Sequence, residues 1–398
     1  VRQRVLHLRV AQALEMLHEK DPDAPSSLIA MHYERAGHPR AAVHYYRRAG
    51  AAAQRLYAHS EAVSLYSHLL EDELRASLSA RESCEIMLTL AEVWRMTGLW
   101  VRARAVLQEA LAIAETLADS RLVAQTQAAL AGVLHLLGYY DAALEWLARA
   151  EARFRSTGEW RGVVSTLWTL GQSHWFRGDY PQALAILERQ LQLATEIADE
   201  SGTCEALETL GMVHGSLGDC ERAADCCLKA IDIAGRLGYR QIITRASITL
   251  GNVRASQHWF GEAVYWYQNA GVLAHAIDDR QAISWAASNI ALLLARRGDY
   301  ARAAAGYEHS LRNAWEIGDR WTACLNLAGL ATVYEHLGQA GRAESLYRTA
   351  IRVGYRLHIR AYVTGMLVSL ARCLLAQGRA AEARALHDEA LAQMAGVA

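Results

Sequence analysis

Leu210-Gly211-Met212-Val213-His214-Gly215-Ser216-Leu217-Gly218-Asp219-Cys220-Glu221-Arg222-Ala223 is the stretch from which the fold can be read. It holds a leucine followed by a very small residue, then Gly218, then an alanine thirteen places after the leucine. Forty residues earlier stand Leu170-Gly171, Gly178 and Ala183, and forty later Leu250-Gly251 and Ala263. Worked outward without an insertion, the pattern continues at Leu90-Ala91, Leu130-Ala131, Ile290-Ala291, Leu330-Ala331 and Leu370-Ala371. The matching alanines are Ala103, Ala143, Ala303, Ala343 and Ala383, and the glycines Gly98, Gly138, Gly298, Gly338 and Gly378. His258 replaces the glycine in one unit of the eight. A fixed period between 20 and 50 residues means supersecondary units that bury their apolar faces on one another.

Within a unit, apolar residues recur every three or four positions on both sides of the glycine, as two amphipathic helices require. The first is expected over about 120–137 and the second over about 140–157, and likewise at each multiple of forty. Glycine between them enters left-handed backbone geometry without a Cβ clash. The small slots let paired helices approach closely, and enlarging one should cost roughly 1–3 kcal/mol. Asp179, Asp219 and Asp299 precede second helices at capping distance, and Pro181 falls in a first helical turn, where its missing N–H is harmless.

These marks resemble the tetratricopeptide repeat: the Leu-Gly/Ala pair, an aromatic or apolar residue three further on (Trp94, Leu134, Tyr334), the turn glycine, the alanine, then Tyr267, Tyr307 and Tyr347. The resemblance covers residues 80 to 396, in a lengthened forty-residue form. It implies an all-α, right-handed superhelical solenoid of antiparallel helix pairs, with first helices lining the concave face. The expected organisation is an irregular N-terminal segment over 1–78, then eight repeats over 79–398.

In that first segment Ile29-Ala30, Tyr33, Gly37, Ala42, Tyr46 and Ala49 repeat the spacing once, predicting a hairpin over 26–56 whose second helix also pairs with Ser60–Leu70. Arg4–His18 reads as one amphipathic helix, ended by a loop at Asp21-Pro22-Asp23-Ala24-Pro25. The runs Leu28–Gly37 and Ala41–Gly50 resemble the segment that follows the ATPase core in bacterial signal-transduction ATPases, a group that includes maltose-regulator-like activators and ATPase-linked cyclases. That resemblance implies the sensor arm of a larger regulator. The opening Val1-Arg2-Gln3-Arg4, without methionine, is read the same way, as a piece of a longer protein.

Only four prolines occur in 398 residues, three of them before residue 40, so helices are free to form downstream. A net charge of −1 offers no field to gather nucleic acid or anionic lipid. No apolar run approaches the roughly 20 residues that span a bilayer. Seven cysteines without a CxxC pair fit a reducing cytoplasm. Cys84, Cys204 and Cys324 share one repeat slot with Ala124 and Val164 and read as packing residues. His174 and His214 share a column with Trp94 and Leu134, again packing rather than a metal pair. No Gly-Lys dipeptide, GxSxG elbow or HExxH pair is present. The chain is therefore expected to be no enzyme and to use no cofactor or metal.

What varies between repeats on the inner side should carry function. By the tetratricopeptide resemblance the inward residues include Trp168, Gln172 and Trp175 in the third repeat, Glu205 and Glu208 in the fourth, Arg245 and Asn252 in the fifth, and Trp285, Asn289 and Arg296 in the sixth. Tryptophan and arginine are enriched at binding hot spots. Asparagine offers a donor and an acceptor to a peptide backbone, and arginine pairs with a carboxylate. The tryptophans serve equally as packing between repeats, and the polar residues as a solvated wall. The leading expectation is a protein- or peptide-binding module in a bacterial regulator. The alternatives are a small-molecule inducer sensor and a scaffold that self-associates through its ends.

Overall fold

Small residues at fixed spacing, with glycine or another left-handed residue at each bend from Gly98 to Gly378, produce a chain of helices without strands among the described residues. The structure, a computed structural model, describes residues 2–18 and 25–395. The predicted loop at Asp21 to Ala24 lies outside them. The helices are α1 (Arg2–Leu17), α2 (Ser26–Ala36), α3 (Pro39–Arg55), α4 (His59–Leu69), α5 (Asp72–Arg75), α6 (Ala80–Met96) and α7 (Trp100–Thr116). They continue with α8 (Ser120–Leu136), α9 (Tyr140–Thr157), α10 (Trp160–Arg177), α11 (Tyr180–Glu196), α12 (Glu200–Ser216), α13 (Cys220–Leu237) and α14 (Arg240–Ser256). The last are α15 (Phe260–Ala276), α16 (Arg280–Arg296), α17 (Tyr300–Ile317), α18 (Arg320–His336), α19 (Ala340–Arg356), α20 (Arg360–Ala376) and α21 (Ala380–Ala395). The architecture is a solenoid of helix pairs.

The contacts divide the chain inside α8, into residues 1–133 and 134–398. In the first unit α2 and α3 form a hairpin, α3 also packs on α4, and the one-turn α5 was not anticipated. Ile29, Tyr33, Tyr46, Tyr66 and Leu69 form its core with Leu90 of α6. Glu15 of α1 accepts from Tyr33 and Tyr45 at 2.6 and 2.5 Å, which fastens α1 to the hairpin.

In the second unit each first helix packs on its own second helix and on the first helix of the next repeat, so α10, α12, α14, α16, α18 and α20 form an inner row. The small slot explains itself. A Cβ on Gly171 would lie 2.5 Å from Leu187, on Gly211 2.4 Å from the Cys227 sulfur, and on Gly251 2.4 Å from the Tyr267 ring. The small residue makes room for the side chain sixteen places later, and Leu187, Cys227 and Tyr267 are consequently buried. Burial of a leucine such as Leu187 contributes about 1.5–3 kcal/mol.

At each inner turn the amide five residues on closes back to the helix end: Asp179 to His174, Trp259 to Arg254 and Gln339 to Tyr334, all at 2.9 Å. His258, the exception in the glycine column, adopts φ +64° and makes the same turn. The capping aspartates divide. Asp219 and Asp299 accept from the N–H of Arg222 and Arg302, but Asp179 makes no such bond and meets His174 at 3.1 Å instead. The stronger caps stand before first helices, where Asp279 and Asp319 accept from Ala282 and Thr322 at 3.0 and 2.9 Å. Among the described residues no helix is long and apolar enough to cross a membrane.

Candidate functional site

A row of first helices that turns a little at each step eventually meets itself, and here it does so within four repeats. Trp175 of α10 lies 5.9 Å from Trp321 of α18, ring centre to ring centre, and Phe176 lies 5.0 Å from the same indole. Phe176 also stacks on Tyr140 at 5.8 Å and approaches Trp285 of α16 at 6.4 Å. Tyr362 of α20 meets the Trp321 ring edge-on at 6.1 Å. The third and seventh repeats thus face each other in contact.

The rings leave a cavity of about 270 Å³. Its walls come from α10, α12, α14, α16, α18 and α20, with Trp175, Trp285, Trp321 and Tyr362 as aromatic faces. Arg245, Thr249, Asn252, Ser288 and Asn289 supply polar groups. The exposed Ser216, Asn252 and Ser256 mark its mouth, and the buried Ile248, Val253 and Thr322 its floor.

Hydrogen bonds hold the aromatic faces in place. The Trp285 indole N–H donates to Thr322 at 2.7 Å, and the Thr322 hydroxyl donates to the buried Asp319 at 2.6 Å. Burial pushes the Asp319 carboxyl up, although Thr322 and Gln281 bond to it. Trp175 donates to Ser216 at 2.8 Å. Trp168 donates to Thr209 at 3.0 Å, and Thr209 donates to Glu208 at 3.0 Å.

Glu208 is wholly buried, 3.9 Å from the Arg245 Nε. Burial raises its carboxyl above the ordinary range, partly offset by Arg245 and Thr209. The Arg245 guanidinium lies 5.4 Å from the Trp168 ring centre and 5.9 Å from that of Trp285. His135, buried beside Phe176, bonds Ser173 at 2.9 Å. Burial, then the positive Arg245, lowers its pKa to about 3, so it is neutral.

Of the ten residues expected on the inner face, Trp175, Arg245, Asn252, Trp285 and Asn289 line the cavity. The other five do not. Trp168 and Glu208 stand behind Arg245, each in contact with it. Gln172 is buried, with its amide nitrogen unpartnered. Glu205 is half-buried on α12, and Arg296 is exposed near the end of α16. Trp285 is only 9% exposed, which fits the packing reading of this tryptophan as well as its place on the cavity wall.

Trp321 and Tyr362 were missed. Both had a signal, since Trp321 falls in a column that holds Arg161, Ser201, Gln241 and Gln281, and Tyr362 in one that holds Gly162, Gly202 and Ala282. A ring where no sister repeat has one marks a contact outside the repeat. No three His, Cys, Asp or Glu converge as metal ligands among the described residues.

Residues 82–156, 163–236 and 367–389 match tetratricopeptide-repeat families. A Rap protein complexed with competence and sporulation factor aligns with a TM-score of 0.62 at 13% identity, over 89% of this chain and 98% of that one. The Rap conjugation gene regulator of the plasmid pLS20, in complex with a Phr peptide, aligns with a TM-score of 0.57 at 12% identity, over 89% of this chain and 96% of that one. A signal-transduction ATPase with a tetratricopeptide sensor, from Pyrococcus horikoshii, gives only 0.49 at 15% identity, over 92% of this chain and 54% of that one, and nothing rests on it. No curated protein sequence matches. At such identities the likeness speaks for fold alone. The matched segments are tetratricopeptide repeats, and the solved relatives share the helical solenoid fold over 89% of this chain.

Proposed function

We propose that the chain is a non-catalytic binding module, the sensor arm of a larger bacterial regulator, and that it takes a short peptide on its inner row. The observation that carries this reading is the cavity itself, which joins aromatic walls to polar groups with bonding capacity to spare. Among the described residues the Asn289 side chain, on the cavity wall, makes no hydrogen bond. Mostly apolar concave sites with a few convergent polar groups are where ligands bind. The Rap proteins of similar fold are complexed with peptides, which makes peptides the first class to try. No nucleic acid or membrane partner is proposed, and the compartment is taken as the cytoplasm.

The test is a screen of short peptides against the chain and its Trp285→Phe and Asn289→Ala forms, with helicity followed by circular dichroism. Loss of an Asn289 bond, or of the Trp285 wall that its bond to Thr322 holds in place, should weaken a groove ligand about tenfold, or ~1.4 kcal/mol. Peptides that bind all three forms equally would remove this cavity from consideration. A second reading, a small-molecule inducer, is favoured by one observation. The cavity's 270 Å³ sits near the lower end of the roughly 300–1,000 Å³ of small-ligand pockets. It predicts a melting temperature that rises with the concentration of a metabolite alone.

A further inference from the structure

The charges of the cavity wall are one-sided. Among its lining residues Arg245 is the only charged side chain, and no aspartate, glutamate or lysine stands with it. The side chain of Arg245 is 10% exposed, yet among the described residues its five N–H groups donate no hydrogen bond, and its Nε, 3.9 Å from the Glu208 carboxyl, is enclosed without a hydrogen-bond partner. Its neighbours fix its place without satisfying it. The indoles of Trp168 and Trp285 flank the guanidinium, and Glu208 stands behind it with an Oε1 that also lacks a hydrogen-bond partner. A buried cation with unused donors is costly unless a partner arrives. One further donor stands on the same wall: the Asn289 amide, which makes no side-chain hydrogen bond among the described residues.

We infer that the cavity receives a carboxylate, held by the Arg245 guanidinium, with the apolar group that bears it set against the rings of Trp285 and Trp321. Guanidinium and carboxylate match in plane and in donor spacing, which makes this pair among the strongest of charged hydrogen bonds. Burial drives the Glu208 carboxyl behind Arg245 toward its neutral form, so one cation and one neutral donor balance a single negative charge, whereas a phosphate dianion would be left half-compensated. The volume suits a single chain end or small acid better than a length of extended polypeptide, so the carboxylate belongs to a peptide C terminus or to a free apolar acid. Arg296 was an equal candidate in sequence and is not one in the structure, since it is exposed and does not line the cavity. The assignment rests on the proposed function and is tested apart from it.

The probes are N-acetylphenylalanine and its uncharged amide, and a tetrapeptide ending in phenylalanine as free acid and as amide, each titrated calorimetrically against the full chain. The acids should bind about tenfold or more tighter than the amides. That preference should fall to unity in Arg245→Gln, survive in part in Arg245→Lys, and leave amide binding unchanged. The Glu208→Gln/Arg245→Gln double form, which leaves no unpaired buried carboxylate, guards against a folding defect in Arg245→Gln. Acid and amide of equal affinity, or an acid preference that persists in Arg245→Gln, would overturn the carboxylate and leave the cavity standing as a binding site. Binding of none of the four would overturn both. The acetylated amino acid alone supports a free acid as the ligand; the tetrapeptide acid as well supports a chain end.

Discussion

The seam between the two helices of a repeat and the inner row formed by successive first helices are made from the same forty-residue unit, yet they follow different rules. Along the seam the third, fourth and fifth repeats give the same answer: a small residue faces a larger one sixteen places later, as Gly171 faces Leu187 and Gly251 faces Tyr267. On the inner row the contacts around the cavity are each made once. Trp168 binds Thr209, Glu208 meets Arg245, and Trp285 binds Thr322. The difference teaches that the seam is a packing problem with one solution, repeated, while the inner row is a set of single contacts that need not recur. Its polar groups are buried by curvature rather than by the repeat itself.

The contrast can be broken most forcefully at the seam. Leu187→Ala should cost about 2–5 kcal/mol in chemical denaturation, since a fully buried leucine is lost against a helix that cannot collapse onto the void. Asn289→Ala on the inner row should stay within about 0.5 kcal/mol. Equal losses at the two positions would erase the distinction.

Acid sharpens it from the other side. His135 is neutral in the fold, with a pKa lowered to about 3, and protonates near 6.5 when unfolded. A depressed histidine destabilises as pH falls below the unfolded value, because only the unfolded chain takes up the proton; the loss runs from about 6.5 down to about 3. At pH 5 this amounts to ~2 kcal/mol. Denaturation of His135→Gln at pH 7 and pH 5 should show a smaller acid loss by that amount, and an unchanged pH dependence would deny the histidine its role.

The turns give smaller effects. Asp279→Ala removes a cap at the start of α16 and should cost about 1 kcal/mol in thermal denaturation. Asp179→Ala, which loses no cap, should cost less. Ala198 stands at φ +52°, where three sister turns hold Gly158, Gly238 and Gly318. Ala198→Gly should raise stability by up to ~1 kcal/mol, visible as a higher melting temperature; a fall would mean that the alanine methyl packs to greater effect than the strain it causes.

The helices and the seam were legible in the sequence because they depend on neighbours within forty residues. Helix α9 was expected over 140–157 and spans Tyr140–Thr157. Closure of the inner row was not, because curvature is a small rotation per repeat whose sum decides whether Trp175 reaches Trp321. For the same reason Gln172 and Glu208 were read as wall residues and lie buried. The caps failed where geometry within one turn decided, as at Asp179, whose carboxylate went to His174. Trp321 and Tyr362 show what a second pass can recover, since each breaks its own column.

The contact of Trp175 and Phe176 with Trp321 carries one more consequence. Stacked repeats are ordinarily modular: a unit can be inserted or deleted and the array merely grows or shrinks. Here the rings that meet stand four units apart, so the count between them is fixed in the way that the number of staves in a barrel is fixed. Excising the forty residues of any one intervening repeat would keep every local seam intact and still bring the wrong faces together. Residues 134–398 therefore inherit from their periodicity an ease of folding, and from this one junction an intolerance of any change in number.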